Sequence, residues 1–422
     1  MTSEPWQETT LGEVAGGRQA LQTGPFGSQL RASDYVVGDR GVPVVMPRDL
    51  RGGTVTTKKI ARVTAAKAAE LPRYRLRAGD ILLARRGEMG RCARLRPVQE
   101  GWLCGTGCLR IRLNGRLDGD FLVQYLRWPV ITAWLADHAV GQTVPSINTG
   151  ILAKIPLKLP GLAEQRRIAA VLGSVDRVID ATRTVIAQVR RVRDEFLRLL
   201  LTRGPQHGSR RATTEEFHPD GWELHPLGSL CRMVNGQPFK ARDRSAEGLP
   251  IIRIQNLNGS RDFHLYAGPP DPERLVEAGD LLFAWAGVKG SSFGPCIWPG
   301  PTGVLNQHIF QIRPRDGVVQ EWLFEALKLV TREIEQRAHG FKDSLLHLRK
   351  SDITEHHVPV PPFEAQQWIA DQSRSLTEIE RAECSTLESL GRLKRGLVQD
   401  LLTGHVRTTS DQDRDSFTDR FR

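Results

Sequence analysis

No window of this sequence approaches eighteen consecutive apolar residues, so nothing in it reads as a membrane span. Met1-Thr2-Ser3-Glu4-Pro5 has neither the basic stretch nor the apolar run of a secretory signal, and a cytoplasmic location is expected. Cysteine is scarce, with six residues at 92, 104, 108, 231, 296 and 384. Only Cys104 and Cys108 are close, and no second Cys or His pair completes a zinc set beside them, so reduced thiols and no metal are expected. Catalytic signatures are missing too. There is no Gly-x-x-x-x-Gly-Lys-Ser/Thr loop for nucleotide phosphates, and no Gly-x-Gly-x-x-Gly follows a strand and opens a helix. The nearest approach to an Asn/Asp-Pro-Pro-Tyr/Phe motif is Val360-Pro361-Pro362-Phe363, whose first residue cannot hydrogen-bond an amino group. Those prolines read instead as the stop before a helix. Pro219-Asp220 and Glu223 do not form the Asp…Glu-x-Lys of a nuclease, and His356-His357 has no carboxylates at ligand spacing. No catalytic residue and no cofactor site is expected on this chain.

What is present begins with charge. The net charge is +11 with Lys+Arg at 59 against Asp+Glu at 48, and Arg outnumbers Lys. Arginine holds phosphate and guanine bidentately, so a polyanion partner competes here with the blander alternative of a merely basic surface. At 422 residues the chain is long enough for two to four domains.

The halves repeat one another. Ala78-Gly79-Asp80-Ile81-Leu82-Leu83-Ala84 recurs as Ala278-Gly279-Asp280-Leu281-Leu282-Phe283-Ala284, and Gly87 and Gly90 recur as Gly287 and Gly290. Trp6, Leu11 and Gly12 return as Trp222, Leu227 and Gly228. Gln165, Ile168 and Ala169 return as Gln366, Ile369 and Ala370. Two similar halves can fold with pseudo-twofold symmetry, which suits a target divided into two half-sites.

Each half reads as a β-rich part followed by a long helix. Val42–Met46 and Leu249–Ile254 are strands that lead to turns at Pro47-Arg48-Asp49 and Gln255-Asn256, and the Gly-Asp runs are buried strands. Gly87–Gly90 and Gly287–Gly290 are turns that reverse the chain. Asp316 to about Ala338 reads as a helix with Leu323, Leu327, Val330 and Ile334 on one face; its counterpart from Asp118 to about His138 should break at Pro129.

From Glu164 to Thr202, Ile168, Val175, Thr182, Val189 and Phe196 fall seven apart, with Leu172, Ile179, Ile186 and Leu200 as a companion series broken by Arg193. The second stripe, from about Glu364 to Thr403, carries Ile369, Leu376, Leu387, Leu390, Leu397 and Leu401, and its centre is interrupted by Glu380, Glu383 and Lys394. That centre is expected to be a weaker seam or one partly occupied by another protein. The duplicate helix is the natural partner, because a rod of about 58 Å overhangs a domain roughly 30 to 40 Å across. The expected fold class is α+β: two similar β-rich domains, each followed by a long helix, with the helices packed together as a coiled coil; the alternative is that each helix packs on its own domain. The expected divisions are 1–160, a helix over 161–204, a linker and second domain over 205–362, a helix over 363–404, and a polar, disordered tail over 405–422.

Candidate DNA-facing groups lie in polar loops beside the strands. They are Arg48, Arg51, Lys58, Lys59, Arg85, Arg86 and Gln142 in the first half, and Lys240, Arg242, Arg253, Gln255, Asn256, Lys289, Lys342 and Arg349 in the second. Arg can read guanine and Asn or Gln adenine, each by a bidentate pair. For any one of them the simpler alternatives are a solvated charge or a phosphate contact.

The run Ile155-Pro156-Leu157-Lys158-Leu159-Pro160-Gly161-Leu162-Ala163-Glu164-Gln165-Arg166-Arg167-Ile168-Ala169 opens the first long helix. With the Gly-Asp-Ile-Leu strand and the loop Gly141-Gln142-Thr143-Val144-Pro145-Ser146-Ile147, it resembles the specificity subunits of Type I restriction-modification enzymes. The resemblance runs from Trp6 to Thr403, with departures at Ala365-Gln366 and Gly340-Phe341-Lys342. It implies two target-recognition domains that read a bipartite double-stranded DNA sequence, and two antiparallel helices that set the spacing. It further implies modification subunits that bring S-adenosylmethionine and flip the target adenine, and restriction subunits that bring ATP- and Mg-dependent translocation and cleavage. The rivals are an enzyme with its own site, which the missing motifs disfavour, and a duplicated coiled-coil nucleic-acid-binding scaffold outside restriction-modification.

Overall fold

A computed structural model describes residues 5–141, 143–203, 222–288, 292–337 and 345–408. The expected linker at 204–216 and the tail after 408 lie outside these residues. The chain forms two compact units. One joins residues up to 184 with those from 385 onward; the other is 185–384. The division falls inside both long helices, so each unit holds a β-rich domain, the start of the helix that follows it and the end of the other helix.

In the first unit, Gly79 takes a left-handed φ of 87°, and the Asp80 carboxylate accepts from the Arg77 N–H at 2.9 Å. That turn launches Ile81–Ala84, every residue of which is buried. The strand is central in a sheet ordered Leu21–Thr23, Cys108–Ile111, Ile81–Ala84, Cys92–Arg94. A second sheet is ordered Leu103–Cys104, Val42–Val45, Ala61–Val63, Tyr35–Val36, with Val44 parallel to Leu103. Gln7–Thr10 pairs antiparallel with Pro156–Leu159 beside the start of the long helix.

The second unit repeats this plan. Its first sheet runs Cys231–Asn235, Ile309–Pro314, Leu281–Ala284, Gly294–Ile297. Its second sheet again contains a parallel pair, Ile251 with Val304, and Glu223–Pro226 pairs with His357–Val360. One expected turn is a strand instead. Ala286–Val288 pairs with Leu345–His347, so the chain does not reverse at Gly287-Val288, and Lys289 and Gly290 lie outside the described residues.

Pro129 ends one helix and starts the next. Asp118 caps Gly119–Leu126 by accepting from the Asp120 and Phe121 N–H groups, and Pro129–His138 follows with proline in its first turn. The second unit has one helix here, Gln320–Arg337, with Leu323, Leu327 and Val330 buried and Ile334 packed beside them.

The long helices span Leu162–Arg203 and Phe363–Thr403. In the first unit Ile168 and Leu172 are fully buried, Ile179 nearly so, and Val175 half-buried. Ile168 and Leu172 share a core with Val398, Leu401 and Leu402, and Leu397 packs against it; Leu387 and Leu390 are half-buried. Glu164 pairs with Arg407 and Asp176 with Lys394, an antiparallel order. In the second unit Ile186 and Ile369 are buried, while Val189 and Leu376 are half-buried. There Arg190 and Arg193 both reach Glu380 from the opposite helix, while Leu197 and Leu200 share a core with Ile369, again antiparallel.

Two of the polar positions have partners across the seam: Arg193, which breaks one stripe, meets Glu380, which breaks the other, and Lys394 meets Asp176. Further on, Phe196 is only half-buried while Leu197, Leu200 and Leu201 are buried. A straight helix drifts about 20° per heptad against a seven-residue repeat. Four heptads from Ile168 give about 80°, nearly the 100° of one residue, so burial passes from Phe196 to Leu197.

Candidate nucleic-acid interface

At one end of the first unit's sheet several loops meet with almost no side chain between them. The Gly24 N–H donates to the Cys108 carbonyl at 2.8 Å, and a Cβ on Gly24 would stand 1.9 Å from the Gly105 carbonyl oxygen. A Cβ on Gly105 would meet Met46 Sδ at 2.3 Å, and one on Gly107 would meet Pro47 Cγ at 2.7 Å. The Arg85 N–H donates to the Gly107 carbonyl at 2.8 Å, and the Ile147 N–H to the Arg85 carbonyl at 2.9 Å. Glycine is required here because backbones touch.

Arg48, with 66% of its side chain exposed, and Arg86 stand out from this floor. Arg51 is exposed on the hairpin Leu50–Arg51/Thr54–Val55 and lines a cleft with Arg91 and Arg127. Lys58 and Lys59 are exposed, Lys59 with a left-handed φ of 62°. Arg85 is different. Its Nε donates to the Ile147 carbonyl at 3.0 Å, so it fastens the loop more than it presents a charge. Gln142 lies outside the described residues.

The same turn is built in both units. The buried Asp49 accepts from the Met46 N–H at 2.8 Å, and burial pushes its carboxyl up. In the second unit the buried Asn256 accepts from the Arg253 N–H at 2.9 Å. Arg253 therefore corresponds to Met46, Gln255 to Arg48 and Asn256 to Asp49. Two of the expected DNA-facing groups are engaged within their own turn. Asn256 donates both amide hydrogens to the Ser260 and Asp262 carbonyls at 3.0 Å, leaving nothing for a base. The Arg253 guanidinium donates to the Asp262 carbonyl at 3.0 Å and approaches the His264 ring, while its Nε is buried without a partner, so the group points into the loop. Gln255 remains exposed, as do Lys240, Arg242 and Arg349. Lys289 and Lys342 lie outside the described residues.

Where the first unit has Gly105-Thr106-Gly107, the second has Asn306-Gln307-His308, since Cys108 opposes Ala84 and Ile309 opposes Ala284. The Trp285 indole, at the place of Arg85, donates to the Gln307 carbonyl at 3.1 Å and meets the His308 ring edge-on at 5.1 Å.

A further exposed residue did not emerge from charge patterns. Phe26 is 61% exposed, on a loop fixed by the Gln29 and Leu30 N–H groups donating to its carbonyl, with Leu30 buried beneath. Its counterpart Phe239, one residue further from the matching glycine, is half-buried and meets the Tyr266 ring edge-on at 5.2 Å. The repeated Pro-Phe pair, Pro25-Phe26 and Pro238-Phe239, was the available signal.

Each recognition domain is clasped to its helix by one glutamine. Gln165 accepts from the Asp118 N–H at 2.8 Å and donates to the Pro160 carbonyl at 2.9 Å. Gln366 accepts from the Val319 N–H at 2.9 Å and donates to the Pro361 carbonyl at 3.0 Å. The neighbouring Glu164 has another task, a bidentate pair with Arg407, and Ala365 stands in its place in the second unit.

The other polar groups singled out by sequence serve the fold. Burial pushes the Cys104 thiol up to about 12, and Cys108 is also raised. His356 meets Glu333 at 3.1 Å, and His357 meets its neighbour Glu355's carbonyl. Among the described residues, no helix is long and apolar enough to cross a membrane.

The Type I restriction modification DNA specificity domain matches this chain twice, over residues 4–191 and 219–388. The putative type I restriction enzyme MjaX specificity subunit of Methanocaldococcus jannaschii is 25% identical over 390 residues, covering 87% of this chain and 88% of that one. The EcoBI specificity subunit of Escherichia coli is 24% identical over 46% of this chain and 41% of its own length. A chain from a structure on the assembly and conformational transition of the type I R-M system has a TM-score of 0.56 at 21% identity, covering 94% of this chain and 97% of that one. The S subunit from M. genitalium has a TM-score of 0.55 at 18% identity, covering 95% and 97%. The fold is thus shared, and with both halves matched the chain belongs to the Type I restriction-modification DNA specificity family.

Proposed function

We propose that this subunit reads a bipartite double-stranded DNA target, one part with each recognition domain, and holds modification and restriction subunits on that target. The supporting observation is a pair of turns with one backbone and two side chains: Arg48 in the first unit and Gln255 in the second. Arg suits guanine and Gln suits adenine. Around them, Arg86, Arg51, Lys58 and Lys59 in the first unit, and Lys240, Arg242 and Arg349 in the second, hold phosphates. Phe26 adds an apolar contact to the first part of the target.

The long helices take the modification subunits. The first long helix exposes Val171 and Val178 in the first unit, and Val185 and Val192 in the second, as apolar surface for them. The subunit carries no catalytic residue, metal or cofactor. S-adenosylmethionine, ATP and Mg are bound by its partners, and the assembly works in the cytoplasm. The number of base pairs between the two target parts is a property of the helices.

The test is a pair of single substitutions, Arg48→Gln and Gln255→Arg, each in a complex with modification subunits, followed by mapping of methylated adenines. Each should change one base preference in one half-site and leave the other half-site intact. A change in both half-sites from one substitution would sink independent readout.

A further inference from the structure

One carboxylate in the first unit gathers three elements. Asp176 lies on the first long helix and accepts from Gln124 Nε2 at 2.8 Å and from Arg127 Nη1 at 2.9 Å. Gln124 lies on Gly119–Leu126, and Arg127 caps it. The third partner is Lys394 on the second long helix. The ionic side chains are 17% exposed for Asp176, 18% for Lys394 and 23% for Arg127. Burial alone would raise the Asp176 carboxyl, but Arg127 and the hydrogen bonds from Gln124 and Lys394 outweigh it and hold the group below its ordinary range. Burial, with Arg127 close by, lowers Lys394. The carboxylate is thus shared by two cations. Arg177, Asp180, Arg166, Arg96 and Asp120 line the adjoining cleft.

The position of this node matters mechanically. The glutamine clasp holds the recognition domain at Gln165, and Asp176 stands eleven residues further along. At 1.5 Å and 100° per residue, that is about 16 Å away and back on the same face. Between the clasp and this node the domain shares a buried core with both helices through Ile168, Leu172 and Leu401, and Asp176 adds a charged tie about one turn beyond Leu172, where that core ends on the first helix. The second unit lacks this second anchor at the same distance. Eleven residues beyond Gln366 stands Thr377, whose hydroxyl donates to the Ser373 carbonyl of its own helix at 2.8 Å. Its ties are placed differently: nearer the clasp Ser373 Oγ donates to Glu325 at 2.8 Å and Arg374 meets Glu321 at 3.6 Å, while Arg332 donates to Asp194 of the other long helix at 2.7 Å.

We infer that Asp176 is a positioning residue that fixes the first recognition domain on the helix pair, and so restricts the number of base pairs tolerated between the two target parts. The inference rests on the bipartite reading above. The test uses the specificity–modification complex and duplexes that keep both half-sites but carry spacers of native length, one base pair shorter and one longer. Methylation rates are compared for the parent, Asp176→Asn and Lys394→Met. Asp176→Asn keeps the shape and removes the charge.

The preference for the native spacer should fall about tenfold, the scale expected for a broken charged hydrogen-bond set. Discrimination against a wrong base in either half-site should stay within about twofold, a selectivity that general loss of fold would not produce. Lys394→Met releases only the second helix and should move the preference the same way, so it decides the matter if Asp176→Asn fails to assemble. An unchanged spacer preference in an assembled variant overturns the role of Asp176. A parent complex indifferent to spacer length would instead overturn the bipartite reading.

Discussion

At one end of its sheet the first unit offers a floor of glycines with Arg48, Arg86 and Phe26 standing on it. The same end of the second unit carries Gln255 and the run Asn306-Gln307-His308, with Phe239 folded back against Tyr266. Beneath both lies one plan: the same strand order in the sheet built on the Gly-Asp strand, the same turn held by a buried Asp or Asn, and the same glutamine clasp. The groups that hold the fold and those proposed to face DNA are therefore different residues. Chemistry can change at the second set while the first stays put.

This contrast can be broken in several ways. If both units hold phosphates alike and differ only in base readout, salt should weaken binding regardless of target sequence. For about 6 to 10 neutralised phosphates, affinity of the specificity–modification complex should fall roughly 10³ to 10⁵-fold between 50 and 200 mM salt. A flat titration would show that the basic loops do not meet phosphate.

The second contrast lies in the helices, where the second unit sets two arginines on Glu380 and the first unit sets Lys394 on Asp176. Arg190→Leu with Arg193→Leu should cost about 3 kcal/mol by stranding Glu380, whereas adding Glu380→Leu should bring the protein back close to the parent. Chemical denaturation of both variants and the parent measures this, and a further loss on adding Glu380→Leu would mean that the arginines and the glutamate do not depend on each other.

The phenylalanines give a sharper pair. Phe26→Ala should lower affinity about tenfold, with thermal stability nearly unchanged, because the ring is exposed and its loss removes only a contact of roughly 1 to 2 kcal/mol. Phe239→Ala should do the reverse, since its ring is engaged with Tyr266. Equal effects on binding from both would dissolve the distinction.

The smallest effect is expected at Glu164. Its second-unit counterpart is Ala365, so the clasp works without it. Glu164→Gln should cost only about 1 kcal/mol, the scale of a partly exposed charged pair with Arg407. A loss of several kcal/mol in a melting experiment would assign Glu164 a larger part in the fold.

Much of the fold could be read in advance because it rests on local signals. Gly79-Asp80 and Gly279-Asp280 announce strands, Pro129 announces a helix break, and the seven-residue series announce the long helices. The seam's charges could not be read correctly one stripe at a time. Arg193 and Glu380 look like flaws until antiparallel packing sets them opposite each other. The shift from Phe196 to Leu197 comes from helix geometry that strict seven-residue counting ignores.

The candidate interface was legible only in part. A polar residue in a loop looks the same in sequence whether it faces solvent or closes its own turn. Asn256 and Arg253 close their turns, while Arg48 and Gln255 do not. The spacing of residue and cap, Met46 with Asp49 and Arg253 with Asn256, distinguishes them once the turn is known.

The glutamine clasp has a consequence for how such a protein can change. Gln165 and Gln366 each grip main-chain atoms of the recognition domain, an N–H on one side and a carbonyl on the other. Every sequence that folds this way offers those same atoms, whatever side chains it carries. The joint is blind to the identity of the domain it holds. A recognition domain with an unrelated reading surface could be grafted before Gln165 or Gln366 without redesigning the helix that receives it.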